Sequence, residues 1–293
     1  KIFAQDKAVE AVCKAVKKSR AGFRNPEKPI ANFLFAGPTG VGKTELAKVL
    51  AQNLDSQLLR FDMSEYQAKH TVSRLIGSPP GYVGFEDGGL LTDAVRKNPS
   101  AVVLLDEIEK AHSDIYNLLL QIMDYGFLTD NQGKKADFRN TIIIMTSNAG
   151  ASQIGKSQIG FGDNVTTESV IDEEVAKIFT PEFRNRLDAI IHFAHLEKKD
   201  ILNVVTKELH ILQSQLQEKN VTLEFTPEAV EFLAEKGYSK EFGARNISRT
   251  VENYISSQLV DEVLFGKLAK GGKVTCYIDK SNSDLQDIKF NYE

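Results

Sequence analysis

The sequence predicts an α/β protein: a five-stranded parallel sheet covered by helices, followed by a smaller α/β domain. Three observations predict it. Short apolar runs at residues 33–36, 58–62, 101–105, 141–145 and 189–193 alternate with stretches of helical periodicity, the pattern of strands buried on both faces. A glycine-rich loop joins the first of these runs to a helix. After about residue 195 the pattern changes to one long amphipathic helix and a few alternating strands. The expected division is therefore 1–194 for the large domain and 195–293 for the small one.

Composition narrows the class. The chain has 293 residues, 42% of them hydrophobic and 26% charged, enough to bury the cores of roughly two domains. Its net charge of −4, the absence of Trp and the lack of a long basic run argue against a nucleic-acid partner. Cys13 and Cys276 are too few for a disulfide framework, which predicts a reducing, cytoplasmic compartment. No apolar stretch reaches membrane-spanning length, so no membrane partner is expected. The chain opens inside a helical pattern (residues 6–12) and lacks an initiating Met, as a piece of a longer protein would.

In chain order, residues 22–29 are rich in breakers and charge and form a loop before the first strand. Strand 33–36 runs into Gly37-Pro38-Thr39-Gly40-Val41-Gly42-Lys43-Thr44. This is the phosphate loop G-x-x-x-x-G-K-[ST] without a mismatch. Its glycines let successive backbone N–H groups turn toward one anion. Lys43 reaches the β- and γ-phosphates, and the Thr44 hydroxyl can ligate Mg²⁺. Residues 44–51 have apolar side chains at helical spacing, so the phosphates would lie on a helix N-terminus. Run 101–105 ends in Asp106-Glu107. Asp106, at the carboxyl end of its strand, can hold Mg²⁺ beside the phosphate loop. Glu107 can deprotonate a water in line with the γ-phosphate. A nucleoside triphosphate with Mg²⁺ is the expected cofactor set.

Other positions leave two readings open. Asn148 follows strand 141–145 and is either a polar group for the γ-phosphate or part of an Asn-Ala-Gly turn. Arg184 and Arg186 are either solvated or aimed at a neighbour's nucleotide. Tyr82 and Val83, inside Gly81-Tyr82-Val83-Gly84 with Gly88-Gly89 downstream, either staple their loop to its own domain or display two apolar side chains. Residues 129–135 read as a hairpin tip, and 150–167 as a polar, glycine-rich loop. In the second domain, residues 196–219 form an amphipathic helix and 221–225 a strand. Thr226-Pro227-Glu228 opens a helix with a cap, a first-turn Pro and an acid at the positive dipole end, and Gly237 closes it. Residues 244–265 form another helix, and 273–279 with 287–292 alternate as two antiparallel strands.

Together these motifs resemble the second ATPase module of ClpA-type unfoldases of the AAA+ class. The residues that carry the resemblance are the phosphate loop, Phe61-Asp62-Met63-Ser64-Glu65-Tyr66, Ser78-Pro79-Pro80-Gly81-Tyr82-Val83-Gly84-Phe85, and Leu104 through His112. Asp137-Phe138-Arg139-Asn140, residues 181–188 and Gly243-Ala244-Arg245 complete the set. The resemblance makes the cofactor ATP or ADP with Mg²⁺, and implies an ATP-hydrolysing unfoldase that threads unfolded or tagged polypeptide through the pore of a homo-hexamer. It implies that Asn148 is the sensor-1 residue, Arg186 the arginine finger acting on the adjacent subunit, and Arg245 the sensor-2 residue of a small lid domain. Tyr82 and Val83 would line the pore, and Ile2, Phe3 and Ile201 would lie near adenine. Ile159-Gly160-Phe161 resembles the loop with which such unfoldases dock on a ClpP-type peptidase. Ala4 stands where the family usually has Gly. Family members also carry a first ATPase module and an N-terminal adaptor-binding domain, neither of which lies in this sequence. Three other functions compete. A disaggregase chaperone of the same family would lack the docking tripeptide, and a phosphate-loop motor on nucleic acid would show a basic stripe. A regulatory module without turnover would lack a catalytic acid, against which Glu107 speaks.

Overall fold

The computed structural model describes residues 2, 5–78, 81, 88–149, 167–239, 242–279 and 287–293. The chain divides into two units: Lys1–Pro38 with Gly42–Ala194, and His195–Glu293, with which the short segment Thr39–Val41 groups.

The first unit contains α1 (Asp6–Arg20), β1 (Ala31–Ala36), α2 (Lys43–Asn53), β2 (Leu58–Asp62), α3 (Lys69–Ile76), α4 (Leu90–Lys97), β3 (Val102–Asp106) and α5 (Ser113–Tyr125). It continues with β4 (Phe127–Thr129), β5 (Lys135–Asp137), β6 (Ile142–Ser147), α6 (Thr167–Ile178), α7 (Pro181–Arg184) and β7 (Ala189–His192). Five strands form one sheet in the order β2-β3-β6-β1-β7, with every pairing parallel. Every residue of β1, β3 and β6 is buried, as central strands of a sheet covered by helices must be. The register pairs Ala36 with Ser147 and Leu105 with Met145, so these three strands finish side by side. The chain leaves β1 for β2 on one side and leaves β6 for β7 on the other. A crevice therefore opens at their carboxyl ends, where ligands bind in such sheets.

Aromatic packing fills the layers. Phe35 lies 5.3 Å from Phe193 between ring centroids, and Tyr116, Phe179 and Phe183 form a second cluster at 5.4 to 6.0 Å. Strand β1 starts at Ala31, two residues before the apolar run, because Ala31 and Asn32 already pair with Ile142 and Ile143 of β6; the Asp188 carboxylate accepts the Asn32 N–H at 2.8 Å. The predicted hairpin forms between β4 and β5. Asp130 builds its tip, accepting from the N–H groups of Gln132 (2.9 Å) and Lys134 (2.8 Å), while Gly133 takes φ +79°.

The second unit contains α8 (Lys198–Gln217), β8 (Val221–Phe225), α9 (Pro227–Gly237), α10 (Ile247–Val251), a π-helical turn (Glu252–Ser256), α11 (Ser257–Leu264), β9 (Gly272–Ile278) and β10 (Ile288–Tyr292). Strands β9 and β10 pair antiparallel, as the alternation predicts. Strand β8 joins the other edge of β9 in parallel, a partner that periodicity cannot reveal because three helices separate the two strands. The helix predicted from 244 begins only at Ile247. Gly243 holds the left-handed conformation (φ +57°), and residues 244–246 close a turn through Ile247 N–H to Ala244 O at 3.2 Å.

Thr226 caps α9: its hydroxyl accepts from Ala229 N at 3.4 Å, and Pro227 sits at the first helical position. Thr226→Ala should lower local stability by about 1 kcal/mol. Native-state hydrogen exchange is expected to show faster exchange at Ala229 and Val230, with the amides of β6 unchanged.

Candidate nucleotide-binding site

The site is assembled where β1, β3 and β6 end. Gly37 leaves β1 at φ +146°, and a Cβ there would run into the Phe193 carbonyl, so the position accepts only glycine. Gly42 precedes α2 at φ +106°, and no side chain caps the helix. Its first N–H groups thus point outward from the positive end of the helix dipole.

Lys43 is 7% exposed. Its ammonium donates to Gly37 O (2.8 Å), Pro38 O (2.6 Å) and Asn148 Oδ1 (3.0 Å). Burial lowers its pKa to about 8, and the nearby charges of Glu109, Asp106 and Glu107 work against that shift. One helical position on, the Thr44 hydroxyl lies 3.3 Å from Asp106 Oδ2. Asp106 also accepts from Arg60 Nε (3.0 Å) and Nη2 (2.7 Å) and from the Thr146 hydroxyl (2.5 Å).

Glu107 has φ +56°, a left-handed conformation that is uncommon for a side chain of its size. Its N–H donates to Thr146 Oγ1 at 3.0 Å. Its carboxylate accepts from Asn148 Nδ2 (3.3 Å) and Lys110 Nζ (2.5 Å). Asn148 therefore bridges Lys43 and Glu107 through the two ends of one amide, and its own N–H donates to Glu109 Oε1 at 3.0 Å. A Mg²⁺ ion fits the donor chemistry. The Thr44 hydroxyl and the Asp106 carboxylate are hard oxygen ligands, and Mg²⁺ characteristically takes one or two such groups, with phosphate and water completing the shell.

Of the residues singled out in the sequence, Gly37, Pro38, Gly42, Lys43, Thr44, Asp106, Glu107 and Asn148 come together here. Thr39, Gly40 and Val41 group with the second unit. Arg186 lies elsewhere in the first unit, with Nε on Asp124 Oδ2 (2.7 Å), Nη1 on Glu182 O (2.9 Å) and Nη2 3.2 Å from Glu182 Oε1. Ile2 is half-buried. Ile201 is buried on α8 with Val205, Leu209 and Leu212, and Arg245 is exposed; both belong to the second unit. Phe3, Tyr82, Val83, Ile159, Gly160 and Phe161 lie outside the described residues. Sequence reasoning missed Arg60, Thr146, Glu109 and Asp124. Thr146 alone left a local signal, the first of two hydroxyl residues that close an otherwise apolar strand. The others are recognisable only through their distant partners.

Fold and site together define a phosphate-loop nucleotide-binding module. Residues 28–190 match the family profile of the AAA domain, Cdc48 subfamily, and residues 196–276 match that of the C-terminal, D2-small domain of ClpB protein. The chain is 58% identical over 274 residues to the ClpA homolog protein of Fuscovulum blasticum, covering 93% of this chain and 34% of that protein. It is 47% identical over 277 residues to the chaperone protein ClpB of Clostridium tetani, with 94% and 32% covered. It is 45% identical over 289 residues to the negative regulator of genetic competence ClpC/MecB of Bacillus subtilis, with 95% and 36% covered. The chain thus spans about a third of the length of the curated relatives it matches. It belongs to the AAA family of ATPases, and its relatives are the Clp proteins.

The buried ammonium has a measurable consequence. Between pH 8 and 10.5 the unfolded chain holds a Lys43 proton that the folded chain has lost, so this group's contribution to folding stability rises with pH through that window. Urea unfolding at pH 8 and pH 10 should show that increment in the wild type. Lys43→Met should lack it, by roughly 1–3 kcal/mol.

Proposed function

We propose that this module binds Mg-ATP at the carboxyl edge of the sheet and hydrolyses it to ADP and phosphate, driving polypeptide through the pore of a hexamer. The observation that carries this reading is the hydrogen-bonded chain Lys43–Asn148–Glu107, set beside the Thr44–Asp106 pair. The loop from Gly37 to Thr44 would cradle the phosphates. Thr44 and Asp106 would hold Mg²⁺, which supplies charge neutralisation on the phosphate oxygens. Glu107 would take a proton from the attacking water, with Asn148 fixing its orientation. Lys43 would exchange its carbonyl partners for phosphate oxygens.

Arg186 would act on the neighbouring subunit's nucleotide, and Arg245 would report γ-phosphate occupancy from the small domain. Ile2, Phe3 and Ile201 would face adenine. Residues 1–194 and 195–293 would be the two moving bodies, with a hinge near 193–196, and Tyr82 and Val83 would grip the threaded chain.

A ClpP-type peptidase is the proposed partner at Ile159-Gly160-Phe161, with substrates brought by adaptors. The ClpA homolog is the relative that favours this reading. The ClpB relatives favour a second one, a chaperone that disaggregates without a peptidase. Among the described residues no helix is long and apolar enough to cross a membrane. The net charge of −4 supports protein rather than nucleic acid as the cargo. The proposed compartment is the cytoplasm.

Two experiments test these roles. Glu107→Gln should bind ATP with near-normal affinity in a fluorescence titration and lose roughly 10²-fold or more in phosphate release; normal turnover removes Glu107 as the base. Tyr82→Ala and a deletion of residues 159–161, in the full-length protein with the peptidase present, should both keep ATPase activity and stop degradation of a folded reporter. Only the deletion should leave unfolding itself intact. Undiminished degradation by the deletion variant would dismiss the docking loop, and absence of degradation by the wild-type protein with the peptidase present would favour the disaggregase reading.

A further inference from the structure

The N–H of Asn148, a half-buried residue, lies one residue past β6, beyond the sheet's hydrogen-bond ladder, and needs another acceptor. A hydroxyl or a water would suffice. The chain supplies a carboxylate instead: Glu109, from the short 3₁₀ turn Ile108–Lys110 after β3, accepts with Oε1 at 3.0 Å. Its other oxygen, Oε2, is buried with no hydrogen-bond partner among the described residues. An unpaired buried carboxylate oxygen is destabilising. Set against it are a charge-assisted bond to one backbone atom and the attraction between this carboxylate and the buried Lys43 ammonium. The neighbouring Tyr116 phenol is pushed up to about 12, by burial first and by the charge of Glu109 second.

What that bond fixes is the residue whose side chain spans the site. Asn148 is held at three points: its N–H on Glu109, its Oδ1 on Lys43 at 3.0 Å and its Nδ2 on Glu107 at 3.3 Å. The last two partners are groups that must move when phosphates and water enter, since each is proposed to engage the reactants. Only the Glu109 anchor is independent of them.

We propose that Glu109 is a positioning residue for ATP hydrolysis, holding the backbone of Asn148 so that its amide stays aimed between Lys43 and Glu107 while those two change partners. Glu109 touches no reacting atom and acts through Asn148. The inference rests on the reading of Lys43, Asn148 and Glu107 as the hydrolytic site.

The test is a double-mutant cycle on the full-length protein, read by titration with a fluorescent ATP analogue and by steady-state ATPase kinetics. Glu109→Ala should leave the nucleotide Kd within about threefold and lower kcat about tenfold or more, a loss carried by kcat rather than KM. Glu109→Gln keeps an oxygen for the Asn148 N–H and should recover most of that loss. In an Asn148→Ala background, Glu109→Ala should cost nothing further in kcat. Normal kcat in Glu109→Ala, no recovery in Glu109→Gln, or an equal loss with Asn148 already removed would each overturn the proposal. If Asn148→Ala itself leaves kcat unchanged, the reading of the hydrolytic site fails instead, and the inference with it. Should Glu109→Ala not fold, the amide proton resonance of Asn148 carries the test. A downfield, exchange-protected signal that moves upfield in Glu109→Gln supports the anchor, and an unshifted signal overturns it.

Discussion

A buried ammonium sets the terms for the rest of the first unit. Lys43 has three N–H donors, no acceptor and almost no solvent. A charge so placed is tolerated only when every donor is matched. Two of the three acceptors are main-chain carbonyls of the turn that follows β1, and the third is the amide of Asn148 at the end of β6. The turn, the helix and the neighbouring strand are thereby tied to one atom. The strand order follows the same logic, since only a sheet that places β6 beside β1 and β3 beside β6 brings Asn148, Asp106 and Glu107 to that atom.

Much of this was legible in the sequence because the phosphate loop is contiguous. Eight neighbouring residues carry the glycines, the cation and the hydroxyl, so spacing alone identifies the cradle. The strand that ends in Asp106-Glu107 is equally local, as is the Thr226-Pro227 start of α9. The parts that were not legible depend on register. Arg60 reaches Asp106 from 46 positions away, and Asp124 reaches Arg186 from 62. A charged residue in a strand and an acid near a helix end carry no mark of such partners. Asn148 lay between the two cases, and the bridge from Lys43 to Glu107 resolves what the Asn-Ala-Gly pattern left ambiguous about its surroundings. Arg245 and Ile201 are assigned by resemblance, because an exposed arginine before a helix and an apolar residue on an amphipathic helix carry no local mark of a nucleotide.

The two acids at the end of β3 raise a geometric problem that the structure solves locally. Successive residues of an extended strand point to opposite faces, so Asp106 and Glu107 could not both serve one site if the strand simply continued. At Glu107 the backbone turns to φ +56°, and its carboxylate comes within reach of Asn148 while Asp106 still faces Thr44. A left-handed glutamate is unfavourable by itself and persists where neighbours over-determine it. Thr146 supplies that constraint: its single hydroxyl donates to Asp106 Oδ1 and accepts from the Glu107 N–H. One side chain of β6 thus holds the acid proposed to take metal and the backbone of the acid proposed to take a proton. The spacing between those two functions is set by the register of β3 against β6 rather than by either acid, which is why the pair can be read from the sequence while its arrangement requires the sheet.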